Sequence, residues 1–130
     1  MVRLKQPPAQ RGSRRARPVT FDTVRQLGLG LPGVEEGLSY GTPALRVRGK
    51  LIARLREDGE SLVVMIDFEE REVLMEADPR TFYITEHYRN YPAMLVRRSA
   101  VSPEVLRALL EDAWRRAAPK RLVAVYDSTR

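Results

Sequence analysis

The sequence predicts an α+β domain: a two-layer sandwich whose mostly antiparallel sheet of five or six strands carries its helices on one face. Three observations lead there. The elements run in the order helix, three strands, helix, two strands, helix. The connections between neighbouring strands are of hairpin length, which requires antiparallel pairing, because a parallel neighbour needs a long crossover. The helix stripes and the sheet each have one apolar side, and a single shared interface buries both. A chain of 130 residues suits one such domain.

Residues 1–18 are rich in Arg, Pro, Gln, Ser and Gly and nearly free of apolar side chains, so they are expected to form a disordered basic tail ahead of a domain at 19–130. Thr20 then caps a first helix, in which Phe21, Val24 and Leu27 share a face. Gly28 and Gly30 end that helix, and Pro32-Gly33 turns the chain. Leu45-Arg46-Val47-Arg48 and Leu51-Ile52-Ala53-Arg54-Leu55-Arg56 alternate in character around a tight turn at Gly49-Lys50. A second turn, Glu57-Asp58-Gly59-Glu60, leads to Leu62-Val63-Val64-Met65-Ile66, whose uniform apolarity suits a central strand.

Asp67 and Glu70 stand at capping-box spacing and start a second helix, with Val73, Leu74 and Ala77 as its expected buried face and Asp78-Pro79 as its stop. Thr81-Phe82-Tyr83-Ile84-Thr85 is β-branched and aromatic and reads as a strand. After a polar, aromatic loop from Glu86 to Tyr91, Ala93-Met94-Leu95-Val96 forms the last strand. Ser102 and Pro103 open the final helix. Its stripe runs through Val105, Leu106, Leu109, Leu110, Ala113, Trp114 and Ala117, with Trp114 in the core, until Pro119 ends it. Glu111–Arg115 and Asp112–Arg116 lie at i,i+4 spacing on the other side.

The formal charge of +6 belongs to the tail. Residues 1–19 hold six of the 23 Lys and Arg and none of the 17 Asp and Glu, so the remainder is formally neutral. Within that neutral body the first hairpin is patterned. Side chains alternate across a sheet, so Leu45, Val47, Leu51, Ala53 and Leu55 are expected in the core. Arg46, Arg48, Arg54 and Arg56 then lie on the opposite face, with Lys50 at the turn. Such a face can bind phosphates; it can equally be a solvated face whose arginines pair with Glu57, Asp58 and Glu60. A second candidate is the polar aromatic cluster of Tyr83, His87, Tyr88, Arg89 and Tyr91, on which bases can stack. The same rings can instead simply cover the sheet.

Equipment for catalysis is missing from the sequence. There is no cysteine and a single histidine, which excludes thiolate nucleophiles and leaves no set of metal ligands. Glu35 and Glu36 are adjacent, so on a strand they point to opposite faces and make no acid–base dyad. Ser39 and Ser61 have no evident His-acid partners, and the glycines match no phosphate-binding loop. No enzyme activity, cofactor or metal is therefore expected. Nor is any run long enough to span a bilayer, and no secretory leader is visible, so the expected location is the cytoplasm.

Several segments resemble the YjbR/MmcQ-like family, in the same order along residues 21–126. They are Leu31-Pro32-Gly33-Val34-Glu35-Glu36, then Gly41-Thr42-Pro43-Ala44-Leu45-Arg46-Val47 with Gly49-Lys50. Ala77-Asp78-Pro79 with Phe82, His87-Tyr88 with Tyr91-Pro92, and Ala118-Pro119-Lys120-Arg121-Leu122 follow. The resemblance implies a bacterial α/β domain with an antiparallel sheet, related in shape to type III secretion chaperones and to the double-wing domain of phage transcription factors. DNA binding through the basic sheet face is the implied function, and a protein-interaction or chaperone-like module is the alternative. A small-molecule site near His87 is the third. Leu45 stands where the family often has Phe, and Ala93-Met94 where it often has Trp.

Because the tail carries no apolar stripe, deleting residues 1–18 is expected to leave the thermal midpoint nearly unchanged. Circular dichroism melts of the two chains check this, and loss of cooperative unfolding contradicts it.

Overall fold

Four antiparallel strands follow one another through tight turns, and two more complete the sheet after a helical excursion. The computed structural model describes residues 18–129. The predicted tail lies outside them except for Pro18. The elements are α1 (Phe21–Leu29), β1 (Val34–Ser39), β2 (Thr42–Val47), β3 (Lys50–Leu55), β4 (Ser61–Met65), α2 (Phe68–Ala77), β5 (Phe82–Tyr83), a 3₁₀ turn (Glu86–Tyr88), β6 (Ala93–Arg97), α3 (Pro103–Ala117) and α4 (Lys120–Ser128). The six strands pair antiparallel in the order β1-β2-β3-β4-β6-β5. The α+β class and the helix–strands–helix order are those expected from the sequence.

Two-residue turns set the first two hairpins. Tyr40-Gly41 and Arg48-Gly49 both have positive φ at each position, 54° and 78° in the first and 50° and 80° in the second. That geometry matches the strand twist and suits glycine second, but it strains a side chain in the first position.

The core lies between the sheet and the helices α1 and α3. Leu45, Val47, Ile52, Leu62, Val64, Met94 and Val96 meet Phe21, Val24, Leu106, Leu110 and Trp114 there. Close approach at one point depends on a glycine. A Cβ on Gly28, inside α1, would collide with Leu45 Cδ1. Trp114 is fully buried, and its indole N–H donates to the Pro32 carbonyl at 2.8 Å, so burial leaves no polar atom unpaired. Leu45 and Met94 are both fully buried in this core.

Four sequence expectations need correction. Along β3, Leu45 pairs with Ala53 but Arg46 pairs with Leu51, so Ile52 has no partner across the ladder. This bulge places Ile52 in the core and leaves Leu51 only half-buried, because one extra residue reverses the alternation. In α2, Leu74 is buried but Val73 and Ala77 are exposed, since the helix packs against β5 and β6 at the sheet margin. β1 was not expected as a strand; of its residues, Val34 packs on the core while its centre is exposed, so it has no apolar alternation. α4 also went unpredicted. It has no side-chain cap and no fully buried residue, and it is held by Leu122, Val123 and Tyr126 against the core.

The sheet face away from α1 and α3 is not bare either. Tyr88, from the 3₁₀ turn, packs with Val63, Ala93 and Leu95 as a second, smaller cluster.

Replacing Trp114 with alanine is expected to cost about 3–5 kcal/mol, the usual range for stripping a large aromatic from a packed core. Urea titration followed by far-ultraviolet circular dichroism measures it, and a cost under about 1 kcal/mol would contradict the packing described.

Candidate functional site

The basic hairpin is divided by its surroundings. Arg54 is only 5% exposed and is fully engaged. It donates to Tyr88 Oη at 3.1 Å, to the Leu55 carbonyl at 3.2 Å and to Thr42 Oγ1 at 3.4 Å, and it lies 5.0 Å from the centre of the Tyr40 ring. The expectation that Arg54 stands on an open face therefore fails. Its guanidinium contacts Tyr88, Tyr40 and, at 3.4 Å, Glu57, one of the pairings that a solvated face would have. Arg56 is half-exposed and bonded to Asp58 at 3.0 Å. Arg46 donates to the Leu38 carbonyl at 3.2 Å and stands opposite Glu35 in the ladder. Arg48 and Lys50, at the turn, are exposed, and neither side chain has a hydrogen bond or ion pair among the described residues.

The aromatic cluster is divided in the same way. Tyr88 is buried, with His87 edge-on to it at 4.8 Å between ring centres. Tyr83 shares a 2.6 Å hydrogen bond with Ser61 and carries the Arg97 guanidinium 4.0 Å from its ring centre. His87 and Tyr91 are exposed, and Arg89 is paired with Glu86 at 2.9 Å. That pairing holds the Glu86 carboxyl below its ordinary range. His87, Tyr88 and Tyr91 are in ring contact, while Tyr83 and Tyr88 are committed to the fold.

What pins the loop is a residue that sequence reasoning passed over. Arg71, on α2, is 4% exposed. Its Nη1 donates to the carbonyls of Tyr88 at 3.0 Å, Tyr91 at 2.8 Å and Ala93 at 3.0 Å, and its Nη2 to that of Arg89 at 3.0 Å. The guanidinium carbon lies over the Phe68 ring, 4.9 Å from its centre. No carboxylate contacts it within ion-pairing distance among the described residues. The signal available in the sequence was faint: Arg71 stands three residues before Leu74, on the same helical face.

A third charged group joins α2 to α3. Arg116 Nη1 lies 3.8 Å from Glu70 and 4.0 Å from Asp67, and Nη2 donates to the Met65 carbonyl at 3.2 Å. Glu70 is largely buried, and its Oε2 has no hydrogen-bond partner among the described residues. Burial, with the neighbouring charges of Asp112 and Asp67 adding to it, raises the Glu70 carboxyl above its ordinary range, and Arg116 opposes the shift. Among the described residues, no three His, Asp or Glu side chains are grouped to hold a metal ion. Nor is any helix there long and apolar enough to cross a membrane.

Fold and surface together define a small antiparallel α+β domain with a closed outer sheet face and free cations at one hairpin tip. The chain belongs to the YjbR family, whose sequence profile matches residues 29–116. It is similar to uncharacterized proteins of Mycobacterium bovis and Mycobacterium tuberculosis, at 36% identity over 53 residues. That match covers 41% of this chain and 41% of each relative, so the similarity spans about two-fifths of the relatives' length. Among solved structures, a Deinococcus radiodurans protein with a DUF419 domain has the same fold. Its TM-score is 0.64 at 23% identity, over 74% of this chain and 76% of that one.

Two outcomes test this geometry. Arg71→Met should cost about 3 kcal/mol or more, since hydrogen bonds to a charged group contribute about 1.5–3 kcal/mol each and buried carbonyls left unpaired add a penalty. Arg71→Lys should recover only part of this, because an ammonium lacks the planar fork. Chemical denaturation measures both, and a neutral Arg71→Met would contradict the assignment. The raised Glu70 carboxyl sets a pH dependence. The unfolded chain ionises first, so Glu70 lowers stability progressively as pH climbs from the ordinary glutamate range through its folded value. Glu70→Gln should therefore exceed the parent in thermal midpoint at pH 7, with the advantage gone below the ordinary glutamate range.

Proposed function

We propose that this domain is a non-catalytic binding module that contacts the phosphate backbone of nucleic acid with the tip of its β2–β3 hairpin. One observation carries the reading. Arg48 and Lys50 project, exposed and unpaired among the described residues, from a turn of an otherwise neutral body. Arg46 follows on the adjoining strand. Arg54 and Arg56, which the sequence placed with them, are engaged elsewhere, so the surface is smaller than a whole basic sheet face.

Arg48 adds a second support. Its φ of 50° is a left-handed conformation that Asn or Gly adopts at less cost. An arginine kept at a strained, exposed position is the kind of outlier that warrants a functional account. Contacts by two or three cations go to phosphates, so affinity should be modest, salt-dependent and almost indifferent to base sequence. The non-catalytic part of the reading is supported by the surroundings of His87, which packs against Tyr88 and Tyr91.

A second reading, a protein partner, is favoured by the other hairpin. Leu38 is 69% exposed and Tyr40 80% exposed, beside an edge strand that has one unpaired side among the described residues.

The test is anisotropy of a labelled duplex across salt concentrations, with chain 19–130 to remove the tail's own charge. Arg48→Glu with Lys50→Glu should weaken binding at least about tenfold at low salt and flatten the logarithmic salt slope by about two. Arg48→Asn alone should weaken binding while raising stability by up to about 1 kcal/mol, as the left-handed strain is relieved. Absence of binding at low salt, or an unaffected double variant, would end the nucleic-acid reading and leave the protein-partner reading in front.

A further inference from the structure

A cleft of about 430 Å³ opens at the end of the sheet where β3 begins and β4 ends. Its volume lies in the roughly 300–1,000 Å³ range of small-molecule sites. Leu51, Met65, Ile66, Pro92, Ala113 and Ala117 form its walls. These residues come from β3, β4, the start of β6 and α3, so no local pattern in the sequence announces them. The bulge in β3 contributes directly: by moving Ile52 into the core, it turns Leu51 out of it and leaves Leu51 half-buried in the cleft wall.

The rim is charged and asymmetric. Lys50 stands on one side, with no ion-pair partner among the described residues. Arg116 and Asp67 stand on the other. Arg116 has two carboxylates nearby, Glu70 at 3.8 Å and Asp67 at 4.0 Å, which offset its charge. The uncompensated charge at the mouth is therefore the Lys50 ammonium. A cation would be repelled by it.

We propose that this cleft binds a small amphipathic monocarboxylate, its apolar chain against Leu51, Met65 and Ala117 and its carboxylate on Lys50. The site shares Lys50 with the phosphate-contacting reading and differs from it in Arg48, which is not part of the cleft lining. The walls supply affinity through apolar burial, and the single lysine supplies the preference of sign. No reaction is involved; the carboxylate is held and released unchanged.

The test is a nuclear magnetic resonance titration of the full chain with octanoate, octanol and octylamine. Octanoate should shift the amides of Leu51, Ile66, Ala113 and Ala117 with a Kd below about 1 mM. Octanol should bind at least about fivefold more weakly, and octylamine more weakly still. Lys50→Gln should remove the advantage of octanoate over octanol while leaving octanol binding unchanged. Ala117→Leu, which fills an open wall, should abolish binding of both, and its unchanged melt would show that the fold survives. Arg48→Asn should leave octanoate binding intact, which separates this site from the nucleic-acid reading. Equal or tighter binding of octylamine, no shift with octanoate up to about 10 mM, or unchanged octanoate binding by Ala117→Leu would each overturn the proposal. Concentration-dependent shifts of the free protein confined to these same cleft amides would assign the cleft to a second copy of the chain and overturn it too.

Discussion

One buried guanidinium organises the outer face of the sheet. Arg71 reaches from α2 to four backbone carbonyls between Tyr88 and Ala93. A loop of this kind exposes polar backbone groups that cannot be buried unpaired. The fork of Arg71 supplies the missing donors, so the loop can lie flat on the sheet. Tyr88 is thereby set over Val63 and Leu95, and its hydroxyl is set to receive Arg54. The closed outer face, the second cluster and the burial of Arg54 all follow from that placement.

The same use of arginine recurs elsewhere and changes how the charge should be read. Arg98 donates to the carbonyl of Gly59 at 2.7 Å and to that of Val19 at 2.7 Å, joining the start of the domain to the β3–β4 turn. Arg116 ties α3 to the end of β4 through the Met65 carbonyl. A guanidinium offers five donors and is more weakly hydrated than an ammonium, so it suits bonding to buried carbonyls. Arginines spent in this way contribute to formal charge and offer a ligand little. Among the described residues, exposed cations without a hydrogen bond or ion pair stand at the β2–β3 tip, beside the apolar cleft, and also at Arg80, Arg107, Lys120 and Arg121; both binding proposals fall at the β2–β3 end of the sheet.

The sequence was legible where one residue type decided the outcome. Ser102 accepts from the Val105 amide and Asp67 from that of Glu70, as their cap positions required. The stripe of α3 is buried from Val105 to Trp114. Legibility failed where neighbours distant in sequence decided it. The alternation of the first hairpin contained no sign of the bulge at Ile52. Arg54 read as a surface cation because its covers, Tyr40 and Tyr88, come from two other segments. Arg71 drew no reading, since sequence rules place a lone charge in water. α4 was missed because its stability comes from contacts such as Tyr126 against Trp114, 5.0 Å between ring centres, and Arg115 with Asp127 at 2.7 Å.

The central claim is that Arg71 fixes the 88–93 loop on the sheet as firmly as the sheet itself is held. Native-state hydrogen exchange tests it most directly. The amides of Tyr88, Arg89 and Tyr91 donate to the carbonyls of Thr85, Glu86 and Tyr88, so each can be followed against the strand amides of β4 and β6. The account predicts that these loop amides open only with the strand beneath them, at a free energy close to that of Val63 and Leu95. Loop amides that exchange near the unfolded rate while β4 and β6 stay protected would contradict it, because the outer face would then be open in solution.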